Sequence, residues 1–374
     1  MSALKKEFAA TGALFTDISG KPAEDANSYW APVVITRAQI DAEIERLCSI
    51  PKPGNGWRQS LITHPMAPAR APGLAPGIQV RLSVLLPGES TQQFRHNATE
   101  VNFCIAGEGE TRIGGKVIRH RQYDVWNHPS YSAYTHHNTS RKPVVKLTYS
   151  NAPLLQNLQV YLADEEPVSQ EAGPVPDHAR TDDPTRKSPF GTFAIGDEGG
   201  MLMPYETLIN PVAAESKALH FPWEQVKAEL DKLVALGKSY VGRRLYMMYN
   251  PLTTRFNGIT PSFFATMTIR PGGIVDRPHR HVSAAINYYF KGRGFSMVAG
   301  NRYEWGPGDL MLSAPGWAVH NHASYEEQVY ELTVQDQPLH IYMESLLWQE
   351  DLKHAPQLLG SRPGFSTNRD KLAA

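Results

Sequence analysis

Pro278-His279-Arg280-His281 opens, and Val319-His320-Asn321-His322-Ala323 closes, the stretch whose reading decides the fold. Inside it, Ile286-Asn287-Tyr288-Tyr289-Phe290 has the β-branched and aromatic composition of a strand. On a strand, residues i and i+2 share a face, so His279 and His281 aim their imidazoles the same way. Lys291-Gly292-Arg293-Gly294 and Trp305-Gly306-Pro307-Gly308-Asp309 are turn signals between strand-like runs. A meander through those turns returns His320 to the first pair. Three imidazoles then converge on one metal ion and leave coordination positions open, as a catalytic metal site requires. A single buried histidine is ordinarily just hydrogen-bonded; the second His-x-His at hairpin spacing is what makes a ligand set.

Working outward, the pattern is written twice. Gly88 answers Gly273, Gly107 answers Gly292, Asp124 answers Asp309, and Pro153 answers Pro338, each at an offset of 185. An extra residue in Pro315-Gly-Trp-Ala-Val-His320 makes the local offset 186. Two copies of a small all-β unit follow, duplicated and fused. The copies differ where the chemistry lies. Phe94 faces His279, His96 faces His281, Tyr134 faces His320, and His136 faces His322. Phe94 cannot bind a metal and Tyr134 is a poor substitute for His, so the earlier copy reads as a degenerate unit kept for packing. A lesser site from His96, Glu100 and His136 is the rival reading.

The rest of the chain frames these two units. Residues 1–77 read as an N-terminal arm, with a short helix from Thr36 as N-cap that places Ile40, Ile44 and Leu47 on one face and ends at Pro51. Residues 78–162 form the earlier β-unit, and 163–257 an acidic, proline-rich linker with a helix starting near Pro222-Trp223. Residues 258–350 form the later unit and 351–374 a polar tail. Acidic and basic residues balance at 37 each, which gives no long-range field for nucleic acid or an anionic membrane. Cys48 and Cys104 make no disulfide framework. Without a secretion signal at Met1–Phe8 or a run of about 18 apolar residues, the expectation is a soluble cytoplasmic protein. Edge strands and the arm lead us to expect a homo-oligomer, a dimer or tetramer.

These residues resemble the cupin superfamily. Its first motif, Gly-x5-His-x-His-x3,4-Glu-x6-Gly, stands here as Gly273 to Gly292 with Ala285 in place of the Glu. Its second stands as Gly308-Asp309 through Pro315 and His320. Two such units, no motif Glu and three histidines resemble the gentisate 1,2-dioxygenase group of Fe(II) ring-cleaving enzymes. The resemblance implies a bicupin: two tandem jelly-roll barrels, with Fe(II) on His279, His281 and His320. It also implies a small aromatic substrate and O2 as partners. There are three departures. The intact motif lies in the later copy rather than the earlier. The family's arginine six residues after the second ligand is Asn287. The acidic residue shortly before Asp336-Gln-Pro-Leu339 is Thr333.

The expected activity is oxidative cleavage of a hydroxylated aromatic ring: gentisate-like, a substituted salicylate, a hydroxynaphthoate or an aminophenol. His322 is the candidate proton shuttle. Asn287, Trp317, Tyr288, Arg270 and Asp336 are candidate substrate contacts, with Phe290, Arg277 and Arg280 as further possibilities. The alternative is a non-oxygenase bicupin: a metal-dependent isomerase or decarboxylase, or a small-molecule binding protein. Ala285 argues against the enzymes that use the motif Glu as a fourth ligand.

Overall fold

A computed structural model describes residues 19–20, 29–165, 193–195, 197–198, 200–202, 217–236, 243–253 and 257–359. The opening segment, most of the acidic stretch and the end of the polar tail lie outside these residues. Each unit is a six-stranded antiparallel sheet facing a three-stranded one. In the earlier unit the large sheet runs His220–Phe221, Val125–His128, Glu100–Ala106, Val144–Ser150, Gln79–Leu85, Arg58–Ile62. In the later unit it runs Val33–Ile35, Leu310–Pro315, Ala284–Lys291, Val329–Gln335, Phe264–Arg270, Leu245–Met248. Strands from the segments read as arm and linker therefore edge both sheets. Val33–Ile35 pairs with Leu310–Leu312, and Leu245–Met248 pairs with Ala265–Thr268.

The duplication is visible in the register. Thr148 opposes Asn102, and Thr333 opposes Asn287, each pair 185 residues from its counterpart. Gly107 and Gly292 hold equivalent turns at φ +80° and +74°. A Cβ there would come within 2.3 Å of the Pro143 carbonyl or 2.5 Å of the Gln328 carbonyl, so only glycine suits either place. The extra residue of the later copy is not in the Pro315–His320 loop. In the earlier unit Glu100 opposes His128 and Val101 opposes Asn127; in the later one Ala285 opposes Ala314 and Ile286 opposes Leu312. The surplus residue is thus Ser313, bulged out of a buried strand. The count agrees: Asp309 to Pro315 is one residue longer than Asp124 to Pro129, so the surplus lies before Pro315 rather than after it.

The helix Arg37–Ser49 begins as expected. Thr36 Oγ1 accepts from Gln39 N at 3.3 Å while Gln39 Oε1 accepts from Thr36 N at 2.9 Å, a reciprocal cap. Ile40 and Leu47 are buried and Ile44 packs beside them. The helix Trp223–Ala235 follows Pro222, and Asp124 Oδ1 accepts from Trp223 N at 2.7 Å. The main core cluster runs between the units, with Phe103 and Tyr149 of the earlier meeting Tyr288 and Phe290 of the later. Among the described residues no helix is long and apolar enough to cross a membrane.

Candidate metal centre and its cleft

Alternation along Ala284–Lys291 sends Asn287 and Tyr289 into the later barrel and Tyr288 and Phe290 onto the core between units. The other barrel wall brings the histidines together. His279 and His320 face each other in an antiparallel bridge, with His279 N to His320 O at 3.0 Å and the reverse bond at 2.8 Å. His281 lies two residues on, pairing with Trp348. One ring nitrogen of each histidine lies within 4.8 Å of the other two, and all three residues are buried. Their second nitrogens are all committed. His279 Nδ1 lies 3.0 Å from the Arg277 carbonyl, His281 Nδ1 2.9 Å from that of Ser283, and His320 Nδ1 2.9 Å from that of Ala318. A carbonyl only accepts, so each Nδ1 carries the proton and each Nε2 keeps a lone pair for the cleft. Burial holds His279 and His281 well below the ordinary histidine range and pushes His320 down to about 4. Three neutral imidazoles with aligned lone pairs are a donor set that a divalent metal fits.

The indole of Trp348 covers the ligand rings from outside, 4.7 Å from His281 and 5.6 Å from His279 between ring centroids. On the open side, Nη2 of Arg243 lies 3.1 Å from His279 Nε2 and 3.5 Å from Glu350 Oε2. The histidines sit in a cleft that also takes in Arg243, Arg244, Asn287, Thr333 and Gln335.

The solved salicylate 1,2-dioxygenase of Pseudaminobacter salicylatoxidans superposes with a TM-score of 0.68 over 86% of this chain and 88% of its own, at 18% identity. That likeness settles the architecture. The fold is a bicupin. A family model described as the AraC-like ligand binding domain matches residues 271–368, the later unit of the bicupin. By sequence, this bicupin is 26% identical over 269 residues to a 5-aminosalicylate 1,2-dioxygenase of Comamonas sp., over 70% of this chain and 66% of that protein. It is 27% identical to a 1-hydroxy-2-naphthoate 1,2-dioxygenase of Nocardioides sp. strain KP7, over 64% of this chain and 57% of that one. The bicupin thus spans somewhat under two thirds of the length of these two relatives.

The predicted contacts divide cleanly. His322 and Asn287 reach the cleft of the bicupin, but Asn287 is already engaged: its Oδ1 accepts from Ser313 Oγ at 2.5 Å and its Nδ2 donates to Thr333 Oγ1 at 2.9 Å. Arg270 reaches the cleft too, locked to Glu331 at 3.1 and 3.2 Å and to Asp276 at 3.1 Å. Its charge is neutralised before any substrate arrives. Tyr288, Trp317 and Asp336 do not line the cleft. Tyr288 packs on Phe103 with centroids 5.6 Å apart. Trp317 lies under the Arg280 guanidinium at 4.4 Å. Asp336 Oδ1 accepts from Ala284 N at 2.8 Å, as Asn151 Oδ1 does from Thr99 N at 2.9 Å in the earlier unit. That repeated bond marks Asp336 as a structural clamp. Phe290 stacks on Tyr123 in the core, and Arg277 is exposed. The sequence reading missed Arg243, Arg244 and Trp348. Extended upstream at an offset of 186, the repeat pairs Arg58 with Arg244 but Trp57 with Arg243, so it signals only the second arginine.

The earlier barrel holds a different polar cluster. Glu100 takes Arg81 as ion-pair partner, His96 Nε2 at 3.1 Å and His128 Nδ1 at 2.9 Å. Phe94 and Tyr134 form the bridge that His279 and His320 form in the later one.

Proposed function

We propose that the protein is an Fe(II)-dependent dioxygenase that cleaves the ring of a hydroxylated aromatic carboxylate, of the salicylate, gentisate or hydroxynaphthoate kind. One observation carries the reading: three buried imidazoles with their Nδ1 protons tied to carbonyls meet at the floor of a cleft beside the Arg243 guanidinium. The relatives act, by their names, on 5-aminosalicylate and 1-hydroxy-2-naphthoate, both of which carry a carboxylate next to a hydroxyl.

Iron held by His279, His281 and His320 would supply the redox chemistry toward O2 and lower the pKa of a chelating hydroxyl. The chain's own groups do the rest. The Arg243 guanidinium, beside the triad and 3.5 Å from Glu350 Oε2, would meet a substrate carboxylate with bidentate geometry. Trp348 keeps water from the outer faces of the ligand rings, and the carbonyls of Arg277, Ser283 and Ala318 fix their planes. Asn287 and Thr333, bonded to each other, wall the cleft and limit the ring that enters. Ala285 leaves the site without a fourth protein ligand, which favours this chemistry over a motif-Glu isomerase.

The test is iron content with oxygen uptake. Iron-loaded protein should consume O2 with salicylate, gentisate, 5-aminosalicylate or 1-hydroxy-2-naphthoate. Uptake with none of them, at about one iron per chain, would move the protein to a non-oxygenase class.

A further inference from the structure

We propose that Ser296, held by Trp305, is a positioning residue that fixes His322 as the tautomer with its proton on Nε2. The cleft then presents three imidazole acceptors and one imidazole donor. The inference rests on the ring-cleavage reading for its role in turnover, but its structural content stands apart from that reading.

The indole Nε1 of Trp305 can only donate, and it lies 2.9 Å from Ser296 Oγ. Ser296 Oγ in turn lies 2.7 Å from His322 Nδ1. With one lone pair of the hydroxyl oxygen taken by the indole and Nδ1 only 2.7 Å away, we assign the hydroxyl proton to Nδ1 rather than to the nearby Tyr289 hydroxyl. An imidazole that accepts at Nδ1 carries its proton on Nε2, the edge turned away from Ser296. The three ligand histidines are the reverse case, since each gives its Nδ1 proton to a carbonyl. His320 and His322 are two residues apart, with ring centroids at 5.9 Å, yet their partners set opposite tautomers.

The scaffold keeps this relay rigid. Ser296 and His322 are direct cross-strand partners. The Trp305 ring stacks on Tyr289 at 3.8 Å with planes 2° apart. Gly294 makes room for it, because a Cβ there would stand 2.4 Å from the indole. The earlier barrel supplies a contrast. Thr111 Oγ1 lies 2.8 Å from His136 Nδ1, but the position of Trp305 is held by His120, which stacks on Trp126 instead. There a hydroxyl meets a histidine with no indole to orient it. In the later barrel the oriented N–H of His322 serves an anionic oxygen of the bound ring, which the three ligand imidazoles, acceptors at Nε2, cannot do.

The test begins with metal-free protein labelled with 15N-histidine. Its two-bond 1H–15N correlations report each tautomer, and His322→Gln assigns the resonance. Wild type and Ser296→Thr should show His322 protonated on Nε2, while Ser296→Ala and Trp305→Phe should show a mixture. Tyr289→Phe, which removes the other hydroxyl near Ser296, should leave the tautomer unchanged. In iron-loaded protein, Ser296→Ala should lower kcat about tenfold or more with KM nearly unchanged, and Ser296→Thr should restore it. His322 protonated on Nδ1 in wild type would overturn the proposal, as would Ser296→Ala with the wild-type tautomer and kcat. The expected tautomers in a protein inactive on every ring substrate would uphold the positioning role and reject the ring-cleavage reading.

Discussion

Replacing Arg243 with Gln separates anchoring of the substrate from chemistry. The guanidinium is the charged group closest to the open side of the histidine triad, 3.1 Å from His279 Nε2. A hydrogen-bonded charge contributes about 1.5–3 kcal/mol. The Arg243 side chain is 38% exposed, which places it at the lower end, about 1.5–2 kcal/mol. At 1.36 kcal/mol per decade, Arg243→Gln should raise KM for a carboxylated ring about 10- to 30-fold. Because the clamp acts on ground state and transition state alike, kcat should stay nearly constant. Initial rates of oxygen uptake over a substrate series, with hydroquinone as the carboxyl-free member, give both parameters. Hydroquinone should show no change in KM. Iron content should hold or rise, since the variant no longer sets a cation against the His279 lone pair. Equal losses with and without the carboxylate would refute the anchor, and a loss of iron would show that Arg243 supports the ligands instead.

Three further outcomes follow from the same geometry. His320→Ala and His279→Ala should each abolish iron binding by elemental analysis, and with it oxygen uptake; wild-type iron in His320→Ala would refute the ligand set. Asp336→Asn should keep wild-type KM and stability, because Asn151 makes the same bond in the earlier unit, whereas Asp336→Ala should cost about 1–3 kcal/mol in a urea titration. A raised KM in Asp336→Asn would return that residue to the substrate. Arg81, His96 and His128 hold the Glu100 carboxyl well below its usual 4.5 against the opposing effect of burial. Its contribution is therefore complete above pH 4.5 and is lost as pH falls through the lower folded value. Glu100→Gln should flatten the acid side of the stability curve and cost about 3–5 kcal/mol at pH 7 by stranding Arg81. An unchanged acid slope would show that the carboxyl does not carry it.

The parts of this protein legible in the sequence are those set by local periodicity. The i, i+2 rule placed His279 and His281 on one face, and glycines at positive φ fixed the turns that return His320. The constant offset disclosed two barrels before any strand was paired. What stayed hidden depends on pairing across the sheet. The count from Asp309 to Pro315 carries a surplus residue, but only the pairing across the sheet shows that Ser313 is the one bulged out. Tyr288 carried the right chemistry for stacking on a substrate, but strand alternation turned it toward Phe103. Arg270 carried the right charge, but Glu331 stands diagonally across from it on the neighbouring strand, and only the fold reveals that the charge is spent. Arg243, just before the strand Leu245–Met248, and Trp348, on the strand Leu347–Gln349, lie outside the motif, and their approach to the triad is a tertiary event.

The two barrels solve one physical problem in two ways. Each encloses polar side chains that must be satisfied, since unpaired buried groups cost several kcal/mol. In the later barrel, Arg243 aside, no side chain among the described residues donates to the cleft-side lone pairs of His279, His281 and His320, so the cluster suits a cation from solution. In the earlier barrel that cation belongs to the chain. Arg81 stands where the later strand has Thr266, and Glu100 stands where it has Ala285, at the same offset of 185. Glu100 then gives His96 Nε2 and His128 Nδ1 an acceptor. Phe94 and Tyr134 at the ligand positions and the Arg81–Glu100 pair beside them thus go together in the earlier barrel, where the ion pair occupies positions that the later barrel fills with Thr266 and Ala285. Among the described residues, the three-histidine cluster that could hold a metal ion lies in the later barrel.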